Sequence, residues 1–505
     1  MATVGDRDEL PVTAPYTGAV VGTVPRCRPA DVAAAVDRAR SAQSAWAARS
    51  IEDRAQVLDR FADSVLADRE RLLDAIQVET GKTRFDALTE VLDVALTAGY
   101  YAQHGPGQVG ATRRDSRLPG LTRVETDHHP VGVAGFVEPW NYPLTLAISD
   151  FLPALLAGNA VVLKPAEETP FTALLAHELL VDAGVPADLV QVVTGEGAPL
   201  GEPLISRVDQ ITFTGSTATG REIATLAGKH LVDASLELGG KNPAVVLADA
   251  DLDAAVRALV WGSYANAGQL CISFERIYVE RPVYDEFRDR FVSATDAQTL
   301  GATFDYGPDV GSLVSEAQRS VVEEHVADAR ERGATVLTGG RRRDDVGPLF
   351  YEPTVLADLP ESATAATEET FGPVVTVEPV PDAQAAVERA NATDYGLHAS
   401  VWTADRERGV DLANRIRTGS VSVNDAFVGM WGSTDAPMGG VADSGVGRRH
   451  GPEGIRKFTE VQTVATQRGP PLVPAESIPT RFLARAATLG VRTVRELGRR
   501  WPPWE

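Results

Sequence analysis

An α/β fold with two sheet regions is predicted by three features of the sequence. Short apolar runs rich in β-branched residues, at 131–137, 160–163, 190–193 and 210–213, alternate with helical stretches near 170–183, 197–206 and 217–228. A second alternation follows: 245–247, helix 251–265, 276–279, helix 282–297, helix 315–332 and 335–337. The chain's 505 residues suffice for two to three domains. Strands separated by helices pair in parallel through crossovers, so the first region predicts a Rossmann-like, nucleotide-binding type of domain.

The remaining elements follow in chain order. Residues 30–48 and 51–80 carry apolar side chains at helical spacing, and Ser50 followed by Glu52 and Asp53 supplies a cap and first-turn acids. The stretch 107–126 has no apolar period and four arginines, which suits an exposed hairpin joining the first helices to the sheet. From residue 469 paired prolines precede Arg481, Arg485, Arg492, Arg495, Arg499 and Arg500, interleaved with Phe482, Leu483, Leu489, Val491, Val494 and Leu497. That pattern is a basic amphipathic helix, expected to pack on the protein's own acidic surface or a neighbouring subunit, with a membrane surface as the alternative.

Composition narrows the function. Seventy acids against 48 bases give a net charge of −22, which would repel a nucleic-acid backbone, and no nucleic-acid partner is expected. The bases are 43 arginines and 5 lysines, which fits either a salt-adapted surface or a GC-rich coding sequence. The polar, acidic start is unlike a signal peptide, and the longest apolar stretch, 151–163, is broken by Pro153, Gly158 and Asn159. Two cysteines make no disulfide framework. A cytoplasmic protein without a membrane partner is the expectation.

Several residues could do chemistry. Cys271 stands in a small-residue turn, Gly268-Gln269-Leu270-Cys271-Ile272-Ser273. A lone cysteine is usually an inert small apolar residue; a nucleophile needs a stabilised thiolate and an approachable sulfur. Glu237, between Leu236 and Leu238 ahead of Gly239-Gly240-Lys241, is either a strand-end acid facing water or a desolvated carboxylate suited to general-base work. Asn141, in Pro139-Trp140-Asn141-Tyr142-Pro143, either caps a rigid turn or aims its amide at an oxyanion. Thr214-Gly215-Ser216-Thr217 follows a strand and opens a helix, as a pyrophosphate-binding turn should, and Lys164-Pro165-Ala166-Glu167 offers a cation and a carboxylate to a ribose. No metal-ligand cluster emerges.

In this order, these segments, together with Glu368-Glu369-Thr370-Phe371-Gly372-Pro373-Val374 and the stretch from Pro437 to Arg448, resemble the aldehyde dehydrogenase superfamily over roughly residues 10–465. The resemblance implies that Cys271 is the nucleophile and Glu237 the general base, with Asn141 and the Cys271 N–H as oxyanion hole. It further implies that Lys164, Glu167 and Glu369 hold riboses, Gly215 and Ser216 the pyrophosphate, and that Phe371, Trp140 and Leu238 contact the cofactor. Ala442 stands where many members carry lysine. Within the superfamily the segments Gly268 to Val279, Gly347 to Leu356 and Gly445 to Gly454 are most similar to bacterial succinate-semialdehyde dehydrogenases, implying succinate semialdehyde as substrate. The alternative is a broad aliphatic or aryl aldehyde dehydrogenase with Phe427, Met430 and Trp431 lining an apolar tunnel; a non-catalytic protein of the same fold is the remote one. Residues 146–150 hold no base to anchor a substrate carboxylate, which leaves Arg113, Arg114 or Arg117. Glu167 would repel a 2′-phosphate, so NAD is expected over NADP. A homodimer or homotetramer is implied too. The expected domains are 1–106 with 131–239 for NAD(P), 240–454 for catalysis, 107–130 with 455–468 as a small β oligomerisation arm, and 469–505 as the tail.

Overall fold

The structure is a computed structural model that describes residues 8–116, 122–468 and 479–500. Two parallel-rich sheets dominate the larger of its two compact units, Met1–Gln108 with Pro130–Thr459. The first sheet has six strands in the order Gly445–Val446, Asp233–Glu237, Gln210–Thr214, Val133–Val137, Ala160–Lys164 and Val190–Val192. All pair in parallel except Gly445–Val446, which returns from late in the chain to lie antiparallel to Asp233–Glu237. The seven-stranded sheet runs Thr335–Thr338, Thr354–Ala357, Val374–Val380, Phe274–Glu280, Asn242–Val246, His398–Trp402 and Ser420–Val423, with only the first pair antiparallel. The central strands of both sheets are buried along their length, as parallel strands covered by crossover helices must be.

The helical segment expected at 51–80 is two helices, Ile51–Ala67 and Arg69–Thr80, parted at Asp68. Spacing alone cannot show the break, because both pieces keep apolar residues three and four apart. Ser50 caps the first piece by accepting from the Asp53 N–H at 3.1 Å. A 25-residue helix, Arg84–Gln108, has no counterpart in the sequence reading. Its buried face carries Arg84, Asp86, Glu90, Asp93 and Thr97 as well as Val91, Val94 and Ala98, so burial there does not follow hydrophobicity.

The second unit, Val109–His129 with Glu460–Glu505, contains a three-stranded sheet ordered Thr459–Gln467, Thr122–Pro130, Thr112–Arg114, and the helix Thr480–Arg500. Arg113 and Arg114 lie on its edge strand; Arg117 lies outside the described residues. No helix among the described residues is long and apolar enough to cross a membrane.

Candidate active site

Parallel sheets expose the carboxyl ends of their strands, and the chain's polar turns gather there. Asn141, Gly215, Ser216, Glu237, Cys271 and Phe371 line one cleft of about 290 Å³, along with Trp140, Leu238 and Glu369. Lys164 and Glu167 are not on its wall. They sit at the end of the neighbouring strand, where the Lys164 ammonium is 3.4 Å from the Glu167 carboxylate and donates to the Pro165 carbonyl. Glu167 also accepts from the Gly197 N–H at 2.6 Å.

Cys271 follows a strained approach. Asn266, Ala267 and Gly268 are all left-handed, with φ of 52°, 55° and 72°. A side chain at 268 would collide with the Gly372 carbonyl, so glycine is required there. Strain of this kind persists only where surrounding bonds hold it. Here Asp86 accepts from the Asn266 N–H at 3.1 Å, and Gln269 donates to the carbonyls of Asn266 and Ser312. Asn242 then donates to the carbonyls of Cys271 and Ser273 at 2.7 and 2.8 Å. The residue bearing the thiol is fixed by its backbone, and the thiol is left half-buried in the cleft.

The turn bearing Asn141 is held from beneath. Lys82 and Glu90 form a fully buried ion pair at 2.6 Å; Lys82 also donates to the Asn141 carbonyl, and Glu90 accepts from the Leu144 and Thr145 N–H groups. The Asn141 amide donates to the Gln269 carbonyl at 3.0 Å, which brings it to the turn that ends in Cys271.

Glu237 ends its strand buried, and one carboxylate oxygen has no hydrogen-bond partner. Burial pushes it up to about 8, opposed by the positive charges of Arg449 and Lys457. Arg449 is itself buried and pairs with Asp150 at 2.8 Å. The sequence gives no role to Arg449 or Asp150, yet the stretch 146–150, which holds no base of its own, receives one from 299 positions away. The only sequence signal was a pair of adjacent arginines, Arg448 and Arg449, in a glycine-rich segment.

The thiol itself departs from expectation. Burial, with the carboxylates of Glu369 and Glu237 next, pushes Cys271 up to about 12, so no stabilised thiolate stands ready. The physical reason is burial first, which disfavours the charged sulfur, and the company of two acids second. A raised acid near 8 close to the thiol is, however, a suitable acceptor for its proton.

Across the cleft, Glu369 is likewise pushed up to about 8 by burial and accepts from the Gly240 N–H at 2.7 Å. Phe371 meets Trp140 edge-on, with ring centres 5.5 Å apart. Its loop is pinned by Glu275, which accepts from the N–H groups of Thr370 and Phe371 while paired with Lys241. Gln318 donates to the carbonyls of the same two residues. Lys241, Glu275 and Gln318 are thus supports that the sequence reading left without a role.

These residues fit a dinucleotide. The helix Thr217–His230 begins at the cleft with Ser216 as its cap, offering free N–H groups and the positive end of the helix dipole to a phosphate. At Gly215 a side chain would run into the Phe213 ring, and at Gly239 into the Glu369 carboxylate.

A second cavity, of about 200 Å³, has walls of Leu92, Leu96, Tyr142, Trp261, Phe427 and Trp431, with Asp93 as the charged side chain among its described lining. Trp261 and Phe427 pack with ring centres 4.5 Å apart, and Tyr142 and Trp431 at 5.6 Å. Tyr142 and Phe427 belong to the buried apolar cluster against which Trp261, Trp431 and Cys271 pack. Met430 packs on that cluster but is not on the cavity wall.

Comparison with known proteins places this geometry. Residues 3–464 match the model of the aldehyde dehydrogenase family. A Mycolicibacterium smegmatis protein named "Putative succinate-semialdehyde dehydrogenase", NADP(+), is 47% identical over 97% of this chain and 95% of its own length. The Escherichia coli succinate-semialdehyde dehydrogenase, NADP(+), is 35% identical over 90% of this chain and 94% of its own. Among solved structures, betaine aldehyde dehydrogenase from Staphylococcus aureus in complex with NAD+ matches with a TM-score of 0.88 at 33% identity, covering 94% of each chain.

Proposed function

The chain belongs to the aldehyde dehydrogenase family, and from that premise we propose that it oxidises an aldehyde to a carboxylic acid through a thioester on Cys271. The observation that carries the reading is the meeting of Cys271, Glu237 and Asn141 in one cleft. The sulfur attacks the carbonyl carbon once its proton passes to a basic neighbour, and Glu237 is the acid on the same wall suited to receive it. The new oxyanion is held by the Asn141 amide and the Cys271 N–H. A nicotinamide dinucleotide, when bound along Gly215, Ser216, Glu369 and Phe371, supplies the hydride acceptor. Once its first proton has passed to solvent, Glu237 takes a proton from water, whose oxygen attacks the thioester carbon; the sulfur leaves as thiolate, regains a proton from Glu237, and the acid is the product.

Succinate semialdehyde is the substrate that the names of the relatives support. NAD is the preferred cofactor on the strength of Glu167, whose carboxylate can accept from a 2′-hydroxyl and repels a 2′-phosphate; the two relatives carry NADP(+) in their names. One observation favours a second substrate reading. The aromatic cavity, whose walls pack on the same apolar cluster as Cys271, offers no cation among its described lining residues, which suits an aliphatic or aryl aldehyde. Cofactor reduction followed with succinate semialdehyde, hexanal and benzaldehyde, each with NAD and NADP, decides among these. We expect kcat/KM to favour NAD and Glu167→Gln to narrow that ratio about fivefold, the effect of roughly 1 kcal/mol between screened charges. Preference for NADP that survives Glu167→Gln removes the cofactor argument. Silence towards every aldehyde removes the function.

A further inference from the structure

The helix Thr480–Arg500 lies beyond the family match, which ends at residue 464, and takes no part in the chemistry above. Arg481, Arg485, Arg492 and Arg495 fall on one side of it at helical spacing. Phe482, Leu483, Ala486, Leu489 and Val494 fall on the other. The apolar side is open, with Phe482 52% and Leu489 66% exposed. By sequence the helix carries six arginines and one glutamate in a chain of net charge −22, and Trp501 and Trp504 follow it, outside the described residues.

We propose that this helix binds the surface of an anionic lipid bilayer, lying in the interface rather than crossing it. Two properties must be matched together. An acidic protein surface could neutralise the arginines, but they lie on the side away from the apolar stripe, which would stay in water. A second copy could cover the stripe, but would bring two strongly cationic helices side by side. A bilayer interface supplies both media at once. The stripe enters the acyl boundary, and the guanidinium groups reach back along their own alkyl stems to the surrounding phosphates. Juxtaposed basic residues are drawn to anionic leaflets by the surface potential, and the attraction fades within a Debye length. The helix is roughly 30 Å long, enough for its apolar side to lie flat across several lipids.

The test is co-sedimentation of the purified full chain with large vesicles of phosphatidylcholine alone or of phosphatidylcholine mixed with phosphatidylglycerol. The mixed vesicles should capture the protein about tenfold better at low salt, and raised salt should abolish the difference. Leu489→Asp and the pair Arg485→Gln with Arg492→Gln should each cut capture about tenfold while aldehyde oxidation in solution stays at the parent rate, which shows that the variants are folded. A full chain that stays in the supernatant with anionic vesicles at low salt overturns the proposal. So does a Leu489→Asp variant that sediments as well as its parent. A third overturning result is a fall in oligomer mass in Leu489→Asp, read by sedimentation velocity, without vesicle capture of the parent; the stripe would then be a contact between copies.

Discussion

The cleft that holds Cys271 and the aromatic cavity are built on opposite principles. The cofactor-side cleft is made of turns at strand ends, and it concentrates buried titratable groups: Glu237 and Glu369 are both pushed up to about 8. The second cavity is made of side chains from the helix Arg84–Gln108, Tyr142, Trp261 and the segment 427–434, and four of its walls are aromatic rings. One side uses a few fixed polar groups to run the reaction; the other uses shape and apolar area to choose what reacts. If that division holds, substitutions on the polar side should change kcat for every aldehyde. Substitutions on the aromatic side should change KM for some aldehydes only.

The largest effect is expected at Glu237. Glu237→Gln should release one equivalent of reduced cofactor per site in a slowed burst, because the thiol loses its proton acceptor, and then stall, with the steady-state rate down about 10²–10⁴ as for loss of a general base. The parent enzyme should show the matching pH dependence. The carboxylate is the active form and its folded value is near 8, so kcat should climb about tenfold per unit from low pH and level off above 8. An unchanged steady state in the variant would break the comparison at its polar side.

Asn141→Ala comes next. Loss of one oxyanion donor typically costs 10²–10³ in turnover, and here the burst should slow along with the steady state, because the oxyanion precedes the thioester. Cofactor affinity, read by fluorescence titration, should hold. A loss of affinity as large as the loss of rate would show that the turn supports the cofactor instead.

The same contrast explains what could be read from the chain. Pro139–Pro143, Thr214–Thr217, Leu236–Lys241 and Gly268–Cys271 are contiguous segments, so the polar cleft is visible as motifs once they are set side by side. Parallel sheets do the rest, delivering successive strand ends to one edge. The supports are not contiguous. Lys82 and Glu90 hold the Asn141 turn, Glu275 and Gln318 hold the Phe371 loop, and Arg449 reaches Asp150 across 299 positions. Each is a charged or polar residue that a linear reading assigns to solvent, and each is buried or half-buried by packing that only the fold supplies. The helix Arg84–Gln108 escaped for the same reason, since its inner face mixes acids and an arginine with alanine and valine. The raised Cys271 thiol is a further case, because the two acids that disfavour its charge lie 34 and 98 residues away in sequence.

The smallest of these effects probes the aromatic side. Trp431 faces Tyr142 at 5.6 Å and lines the cavity with Phe427, so Trp431→Ala removes one wall without touching the thiol or the polar cleft. An apolar substrate loses dispersion contacts and gains water. Because a single methylene is worth roughly 10–200-fold in a matched pocket, KM for hexanal should rise about tenfold or more with kcat little changed. Succinate semialdehyde is short and charged and draws little from an aromatic wall, so its kcat/KM should move by less than about threefold. Equal losses for both aldehydes would mean that the ring positions Cys271 instead of selecting the substrate, and the division between a reacting side and a choosing side would fail at that residue.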